Sequence, residues 1–148
     1  MKVAILGGTG PFGRALAVRL AEAGDDVTIG SRDDERARSV AAELGVDGKR
    51  NEQAVVGAEL VILAVDASAA LETARSVRFD APLLSVASEL ELAAGGARPL
   101  AQARSLAERI AGVVDTPVSA GLHSLGARKL ARHRPDEDAF VCGDDEEA

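Results

Sequence analysis

The sequence predicts an α/β fold: a doubly wound, mostly parallel sheet of six strands with helices on both faces. Short apolar segments alternate with helix-like segments along all 148 residues, a pattern typical of βαβ units. The apolar segments are continuous, as expected for strands that are buried on both faces. Hydrophobic residues make up 47% of the chain and aromatic residues only 2%, which predicts a core of Ala, Val, Leu and Ile.

Each element follows from its own segment of the pattern. The doubly wound strand order 3-2-1-4-5-6 fits six strands, and it places ligands at the carboxyl ends of the strands near the first one. The predicted strands are residues 3–6, 27–29, 60–65, 83–86, 113–118 and 139–142. The predicted helices are residues 10–23, 33–44, 51–56, 67–77, 99–111 and 124–133.

The first strand runs into a glycine-rich turn, and an alanine-rich helix follows at once. The turn reads Gly8-Thr9-Gly10-Pro11-Phe12-Gly13. Backbone without side chains at its first two glycines allows a pyrophosphate to approach main-chain N–H groups, and the helix points its positive end at the phosphates. The last glycine allows close packing of the helix on the strand. This context predicts a Rossmann-like dinucleotide site, and the alternative is a turn that only joins a strand to a helix.

The end of the second strand indicates which dinucleotide is bound. NAD-binding folds usually carry an acidic residue there, whereas this strand ends in Ser31 and Arg32. A hydroxyl and a guanidinium suit a ribose 2′-phosphate, and Arg36 follows on the same helical face. We therefore expect NADP(H). The alternative is that Arg36 and Arg38 belong to a solvated face of ion pairs.

Two further strand ends and one loop are expected to line the nicotinamide end of the cleft. Val65 ends the third predicted strand, and Ala87 and Ser88 follow the fourth. Asp66 is either a general base or, more simply, a helix N-cap. His123 follows the fifth strand, where ligand-facing residues collect, and the alternative is a structural histidine bonded to a backbone carbonyl.

The composition excludes several other classes of site. A net charge of −7 argues against a nucleic-acid surface, and two histidines with one cysteine offer no metal-ligand spacing. The chain has no Gly-x-Ser-x-Gly and no tyrosine, so neither a serine hydrolase elbow nor a Tyr-Lys pair exists. Hydride transfer by positioning of two reactants remains as the predicted chemistry.

Several motifs together resemble one known family. They are Gly-Gly-Thr-Gly near the start, Gly30-Ser31-Arg32, Lys49-Arg-Asn51-Glu52, Val61-Ile-Leu-Ala-Val65, Val118-Ser-Ala120 with Leu122-His123, and Val141-Cys-Gly-Asp-Asp145. In these the chain resembles the NADPH-dependent coenzyme F420 reductases. That resemblance implies hydride exchange between nicotinamide C4 and C5 of the deazaflavin F420, so NADP(H) and F420 are the expected small-molecule cofactors.

The resemblance also implies residue roles. The glycine-rich turn is the expected pyrophosphate loop, and Ser31, Arg32 and Arg36 form the expected 2′-phosphate clamp. His123 and Leu125 are the expected pair beside the stacked rings. Two alternatives stay open: an NADP(H)-binding module without turnover, and another NADP-dependent reductase of the same superfamily.

The expected organisation is one NADP-binding domain over residues 1–148. The family continues with helices that help to wall the F420 pocket and join subunits, and we expect this chain to stop before them. The acidic end, from Asp144 onward, has the composition of a helix start, which favours this expectation; the alternative is an acidic solvated tail. Without a long apolar run, signal peptide or lipidation motif, the expectation is a cytoplasmic protein with no membrane or nucleic-acid partner. A homodimer is allowed. Cys142 stands alone and is expected in the core.

Overall fold

Strands and helices alternate along the chain, as the apolar pattern predicts. A computed structural model describes residues 1–99 and 102–144. The strands are β1 Lys2–Leu6, β2 Asp26–Ser31, β3 Asp47–Arg50, β4 Leu60–Leu63, β5 Leu83–Ser85, β6 Leu90–Ala93, β7 Gly96–Pro99, β8 Val118–Gly121 and β9 Val141–Gly143. The helices are α1 Pro11–Glu22, α2 Asp34–Leu44, α3 Asn51–Ala54, α4 Ala67–Ser76, α5 Leu106–Ala111 and α6 Ala127–Arg132.

The main sheet is doubly wound, and the predicted fold class is confirmed. Its order is β3-β2-β1-β4-β5-β8-β9, with parallel pairing everywhere except between β8 and β9. The predicted number of six strands is wrong, since this sheet has seven and β6 pairs with β7 in a separate antiparallel hairpin. The order reverses direction at β1, so a crevice opens at the carboxyl ends of β1 and β4.

The missing strand is β3, a polar segment at the edge of the sheet. Its sequence is Asp-Gly-Lys-Arg, and three of these four residues are exposed. An edge strand with one face in solvent carries no continuous apolar run, so the hydrophobic pattern does not detect it. In the order 3-2-1-4-5-6, the place of strand 3 beside β2 is occupied by β3. The predicted third strand (residues 60–65) instead contains β4, which pairs with β1 on the side opposite β2.

Two predicted boundaries after β5 are also wrong. The helix predicted over residues 99–111 begins only at Leu106, because Ser105 caps it, while β7 ends at Pro99. Residues 100 and 101 lie outside the described parts of the chain. The strand predicted over residues 113–118 begins only at Val118, and the preceding Val113 and Val114 pack against the core from a loop.

The core lies on both faces of the sheet. One face packs α4 and α5 on the sheet through Ala70, Ala74 and Ile110, and the other packs α1, α2 and α6. The buried hydrophobic side chains are Ala, Val, Leu and Ile with the single exception of Phe79, among the residues whose burial is described. Small alanine faces therefore bring the helices close to the sheet, which fixes the loops at the carboxyl edge.

The last described segment is the most exposed part of the sheet. Val141, the first residue of the antiparallel edge strand β9, is 59% exposed, and Phe140 just before it is 83% exposed. The prediction of a buried Cys142 is wrong, because a free strand edge leaves its thiol exposed. The predicted helix start beyond Asp144 falls on residues 145–148, outside the described residues.

Candidate functional site

A cleft of about 560 Å³ opens along the carboxyl ends of the parallel strands. It extends from the loop between β1 and α1, past the ends of β2, β4 and β5, to the loop between β8 and α6. Its walls include most of the residues predicted from the sequence: Thr9, Gly10, Pro11, Phe12, Ser31, Arg32, Arg36, Val65, Ala87, Ser88, His123 and Leu125. Residues far apart in the chain are thus brought to one edge of the sheet.

The two predicted residues that do not line the cleft, Gly8 and Gly13, shape its loop from behind. A Cβ at Gly8 would lie 2.4 Å from the Cβ of Ile29 on β2. A Cβ at Gly13 would lie 2.5 Å from the carbonyl oxygen of Gly7. Real Cβ atoms do not approach so closely, so both positions require glycine for α1 and the loop to sit against the sheet. The predicted packing role of Gly13 matches this geometry.

The turn leaves a small set of N–H groups without an acceptor at the start of α1 in the described chain. Gly8 and Gly10 donate their N–H groups within the loop, to the carbonyls of Ile5 and Gly7 at 3.2 and 2.9 Å. Across residues 1–99 and 102–144, no acceptor is found for the N–H groups of Thr9, Phe12 and Gly13. These three groups are therefore the donors left for an anion at the helix N-terminus.

The first turn of α1 adds no negative charge to this end. It contains no acidic residue, and Pro11 stands at its first position, where the missing N–H costs nothing. A helix of 12 residues directs the positive end of its dipole toward the cleft. A Cβ at Gly10 would meet only the Gly7 carbonyl oxygen, at 3.3 Å, so here the absence of a side chain serves the approach of a ligand.

The carboxylates at the end of β2 are already engaged with other partners. Asp33 accepts the N–H of Arg36 at 3.1 Å as the N-cap of α2. Asp34 forms an ion pair with Arg38 at 2.7 Å, so Arg38 belongs to the solvated face that was the alternative reading. Arg32 lines the cleft, and so does Arg36.

Two positive charges therefore face the cleft at this end. Within the described parts of the chain, neither guanidinium forms an ion pair with a carboxylate. Ser31 also lines the cleft, and its hydroxyl accepts the Asp33 N–H at 3.2 Å. The hydroxyl hydrogen remains available, so a hydroxyl donor and two guanidinium groups line the cleft at the end of β2 and the start of α2. That set suits a phosphate monoester.

The ends of β4 and β5 form the middle of the cleft. Val65, Ala87 and Ser88 line it as predicted. Asp66 occupies the N-cap position of α4, but its side chain makes no capping hydrogen bond, and it also lines the cleft. The predicted N-cap position is thus observed without the capping bond.

The loop that carries His123 is held in an unusual conformation. Leu122 has a φ of 62°, the left-handed region that non-glycine residues rarely adopt. Its N–H donates to the Phe140 carbonyl at 3.2 Å, and its carbonyl accepts from Leu125 at 3.0 Å. These bonds turn His123 and Leu125 to the cleft. No carbonyl partner of the imidazole is found within the described residues, so nothing there supports the structural-histidine alternative.

A second, more apolar cavity of about 640 Å³ adjoins the first on the α5 side of the sheet. Ala87, Ser88 and His123 line both cavities and so form their common border. Other walls come from β8, the start of α5 and the beginning of the β6–β7 hairpin. The sequence did not indicate this cavity, because the hairpin and the position of α5 were not predicted.

The cleft also contains residues that the sequence analysis did not identify. The rule that strand ends line a ligand site would have found Gly7, Ala64, Val86 and Leu122, whereas Ala67, Ala69 and Thr73 belong to α4. Asn51 is different, because it follows the undetected strand β3 and is 4% exposed. Asn51 belongs to the Lys49-Arg-Asn51-Glu52 motif of the resemblance, but no site role was predicted for it.

Two other kinds of site are not found in the described chain. No group of three His, Cys, Asp or Glu side chains is placed to hold a metal ion there. No helix among the described residues is both long and apolar enough to cross a membrane.

Comparison with known proteins identifies the family. The family described as NADP oxidoreductase, coenzyme F420-dependent, matches residues 2–89, which is more than half of the chain. The chain belongs to this family. The matched region contains β1 to β5 and therefore the glycine loop and the Ser31–Arg32 end of β2.

Two curated relatives have matching names. The F420-dependent NADP reductase of Methanothermobacter thermautotrophicus is 40% identical over an alignment of 87 residues that covers 53% of this chain and 38% of that protein. The F420-dependent NADP reductase of Methanothermobacter marburgensis is 46% identical over an alignment of 87 residues that covers 53% of this chain and 39% of that protein. The chain thus matches about two fifths of the length of these relatives.

Solved structures extend the similarity to nearly the whole chain. A candidate F420-dependent NADP reductase from Arthrobacter sp. FB24 superposes with a TM-score of 0.79 at 27% identity, covering 99% of this chain and 75% of that one. An imine reductase from Streptomyces aurantiacus superposes with a TM-score of 0.56 at 29% identity, covering 82% of this chain and 40% of that one.

Proposed function

We propose that residues 1–148 form one NADP(H)-binding domain that exchanges a hydride between NADP(H) and the deazaflavin coenzyme F420. The names of the curated relatives and of the Arthrobacter structure support the two cofactors. The cleft supports a dinucleotide independently, because its donors are distributed as a phosphorylated adenine dinucleotide requires.

Three groups of cleft residues bind three different parts of the dinucleotide. The N–H groups of Thr9 and Phe12 bind the pyrophosphate at the start of α1, and Gly10 leaves room for it. Ser31, Arg32 and Arg36 bind the 2′-phosphate. Val65, Ala87 and Ser88 then line the path along which the nicotinamide reaches His123 and Leu125.

The chemistry needs little from the protein beyond alignment. Bound NADPH would supply a hydride from nicotinamide C4 for C5 of F420, and a proton from solvent would complete the reduced deazaflavin. His123, at the border of the two cavities, and Leu125, in the first, would position the two rings. Such positioning accounts for a large part of a barrier reduction without acid–base catalysis.

One observation carries the proposal: Arg32 and Arg36 line the cleft, while Asp33 caps α2 and Asp34 is paired with Arg38. A carboxylate at the tip of β2 would repel a 2′-phosphate, whereas two guanidinium groups attract it. Calorimetric titration of the chain with NADPH and with NADH tests this, and NADPH should bind at least about tenfold more tightly. Equal affinities would contradict the proposal.

Turnover is tested separately, by the loss of F420 absorbance in the presence of NADPH. Reduction of F420 supports the oxidoreductase. Tight NADPH binding without reduction would instead indicate the binding module, and reduction of a cyclic imine but not of F420 would indicate another reductase of the superfamily. The second cavity beside His123 favours turnover, because it gives a second reactant access to the same border.

Two further predictions concern the setting of the protein. We propose a cytoplasmic location, which fits a chain with a single cysteine and a nucleotide cofactor. A homodimer is also proposed, with the exposed Phe140 and Val141 as the apolar contribution. Fractionation of cells and sedimentation velocity, respectively, test these two statements.

A further inference from the structure

Asn51 is a buried polar side chain that the fold itself does not use. It is the first residue of α3 and is 4% exposed. Its Oδ1 atom is shielded from solvent and has no hydrogen-bond partner among the described residues. Burying such a group unpaired costs free energy, and buried polar atoms in folded proteins nearly always have a partner.

Its position connects it to the end of β2. Ser31 on β2 stands opposite Arg50 on β3, so Asn51 begins where the paired strands end. A Cβ placed on Gly30 would lie 2.8 Å from Oδ1 of Asn51. Glycine at position 30 therefore leaves the space that the carboxamide occupies. Asn51 lines the same cleft as Ser31 and Arg32.

A purely structural role for the carboxamide is not apparent. The N-cap of α3 is Arg50, and no side chain caps this helix. An apolar side chain of similar volume would avoid the unpaired oxygen and suit the surrounding fold better. A polar atom that is costly to the free protein and lines a ligand cleft indicates a partner that arrives with the ligand.

We propose that the Asn51 carboxamide hydrogen-bonds the adenosine of the dinucleotide, at the adenine edge or the ribose 3′-hydroxyl. The inference rests on the proposed function, which places the 2′-phosphate at Ser31 and Arg32. An asparagine amide offers both a donor and an acceptor, and adenine and ribose present both in return. Rotation about χ2 is broad for asparagine, so the buried oxygen and the amide nitrogen can exchange places when the ligand binds.

This assignment gives Asn51 a role that differs from that of Arg32. A contact with adenosine is common to NADPH and NADH, whereas the arginine contact exists only with the 2′-phosphate. Asn51 is thus a binding residue for the shared part of the two nucleotides.

The test compares Asn51→Ala with the native chain in calorimetric titrations of 5′-AMP, 2′,5′-ADP, NADPH and nicotinamide mononucleotide. We expect about tenfold weaker binding of the first three, equal to about 1.4 kcal/mol, and no change for nicotinamide mononucleotide. Gln53→Ala is the matched control, since Gln53 is exposed on the same helix. It should leave all four affinities unchanged. Unchanged 5′-AMP binding in Asn51→Ala would overturn the inference.

A second variant, Asn51→Leu, separates binding from stability. Its unfolding temperature without ligand should equal or exceed that of the native chain, while the increase caused by 2′,5′-ADP should shrink. A lower unfolding temperature together with an undiminished increase on adding 2′,5′-ADP would show a structural asparagine and overturn the inference.

The same titrations distinguish this inference from the proposed function. If the native chain binds 5′-AMP and loses that affinity in Asn51→Ala, the inference stands even where NADPH shows no advantage over NADH. If the native chain shows that advantage but Asn51→Ala changes nothing, only the inference fails. No binding of any of the four ligands would overturn both.

Discussion

The two ends of the cleft are built in different ways. At the phosphate end, backbone packs so closely that Gly8 and Gly13 leave no room for a methyl group. At the other end, His123 is an exposed side chain on a turn held by two backbone hydrogen bonds around Leu122. The packing of β1, β2 and α1 therefore creates the phosphate site, whereas the ring-contacting end is added to a completed sheet.

This difference has a consequence for what substitutions do. Changes behind the phosphate loop should damage the fold and binding together. Changes at the His123 end should alter turnover and leave the fold intact, because few buried contacts depend on that loop.

The largest expected effect is that of Gly8→Val, which tests the dependence of the loop on packing. The new side chain would overlap Ile29, whose own side chain is fully buried, so β2 or the loop must shift. Overpacking of this kind costs about 3 kcal/mol of unfolding free energy. Chemical denaturation measures it. A stability equal to that of the native chain would contradict the packing role.

Gly10→Val should separate binding from folding within the same loop. Its Cβ meets only one atom, the Gly7 carbonyl oxygen at 3.3 Å, so the unfolding free energy should change little. The side chain would project into the cleft and lengthen two charge-assisted hydrogen bonds from N–H groups to the pyrophosphate. The binding of NADPH and NADH should therefore weaken equally, by about 3 kcal/mol. Titration with both nucleotides checks this, and retained binding would remove the pyrophosphate from this loop.

Arg32→Ala should weaken the binding of NADPH but not that of NADH. Loss of a charge-assisted bond to the 2′-phosphate should weaken NADPH by about 1.5–3 kcal/mol and leave NADH nearly unchanged. Arg38→Ala is the matched control, because Arg38 is paired with Asp34 on the solvated side of α2. Equal losses for NADPH and NADH would contradict the clamp.

His123→Ala should affect the rate of F420 reduction more than the affinity for NADPH. Loss of a positioning side chain should lower kcat about tenfold, which is about 1.4 kcal/mol in the barrier. Stopped-flow absorbance gives the rate and calorimetry the affinity. Ser124→Ala, at the next exposed position, is the control. An unaltered rate of F420 reduction would show that His123 does not position the reactants, and would contradict its proposed role.

The sequence predicted the phosphate end better than the other end, for physical reasons. Strands β1, β2, β4 and β5 are buried on both faces, so continuous apolar runs reveal them and their ends reveal the cleft. Edge strand β3 is polar and the β6–β7 hairpin lies outside the main sheet, so neither has that signal. Asn51 follows β3 and was missed with it.

The second cavity was missed because it depends on tertiary placement. It is formed where α5, β8 and the hairpin meet; α5 and β8 begin later than predicted, and the hairpin was not predicted. His123 was found because it follows a strand. Its left-handed neighbour Leu122 was not, since no glycine marks that position.

The smallest expected effect is a pH dependence of the stability of α5, the helix that lines the second cavity. Helix α5, which walls it, begins with a capping box: Glu108 accepts the Ser105 N–H at 2.6 Å, and the Ser105 hydroxyl accepts the Glu108 N–H at 3.2 Å. The Ser105 backbone N–H, its hydroxyl and the Arg104 charge lower the pKa of Glu108 below its ordinary value of 4.5.

A carboxyl with a lowered pKa in the folded state stabilises it above the unfolded pKa, and that contribution disappears as the pH falls through the folded pKa. Amide-exchange protection of α5 should therefore decrease between about pH 5 and pH 3, while that of α1 stays constant. Glu108→Gln should remove this dependence. If it persists there, the titrating group is another carboxyl, with Glu89 beside Arg109 the next to test. If α1 loses protection in parallel, the two ends unfold as one unit, and the division between them is wrong.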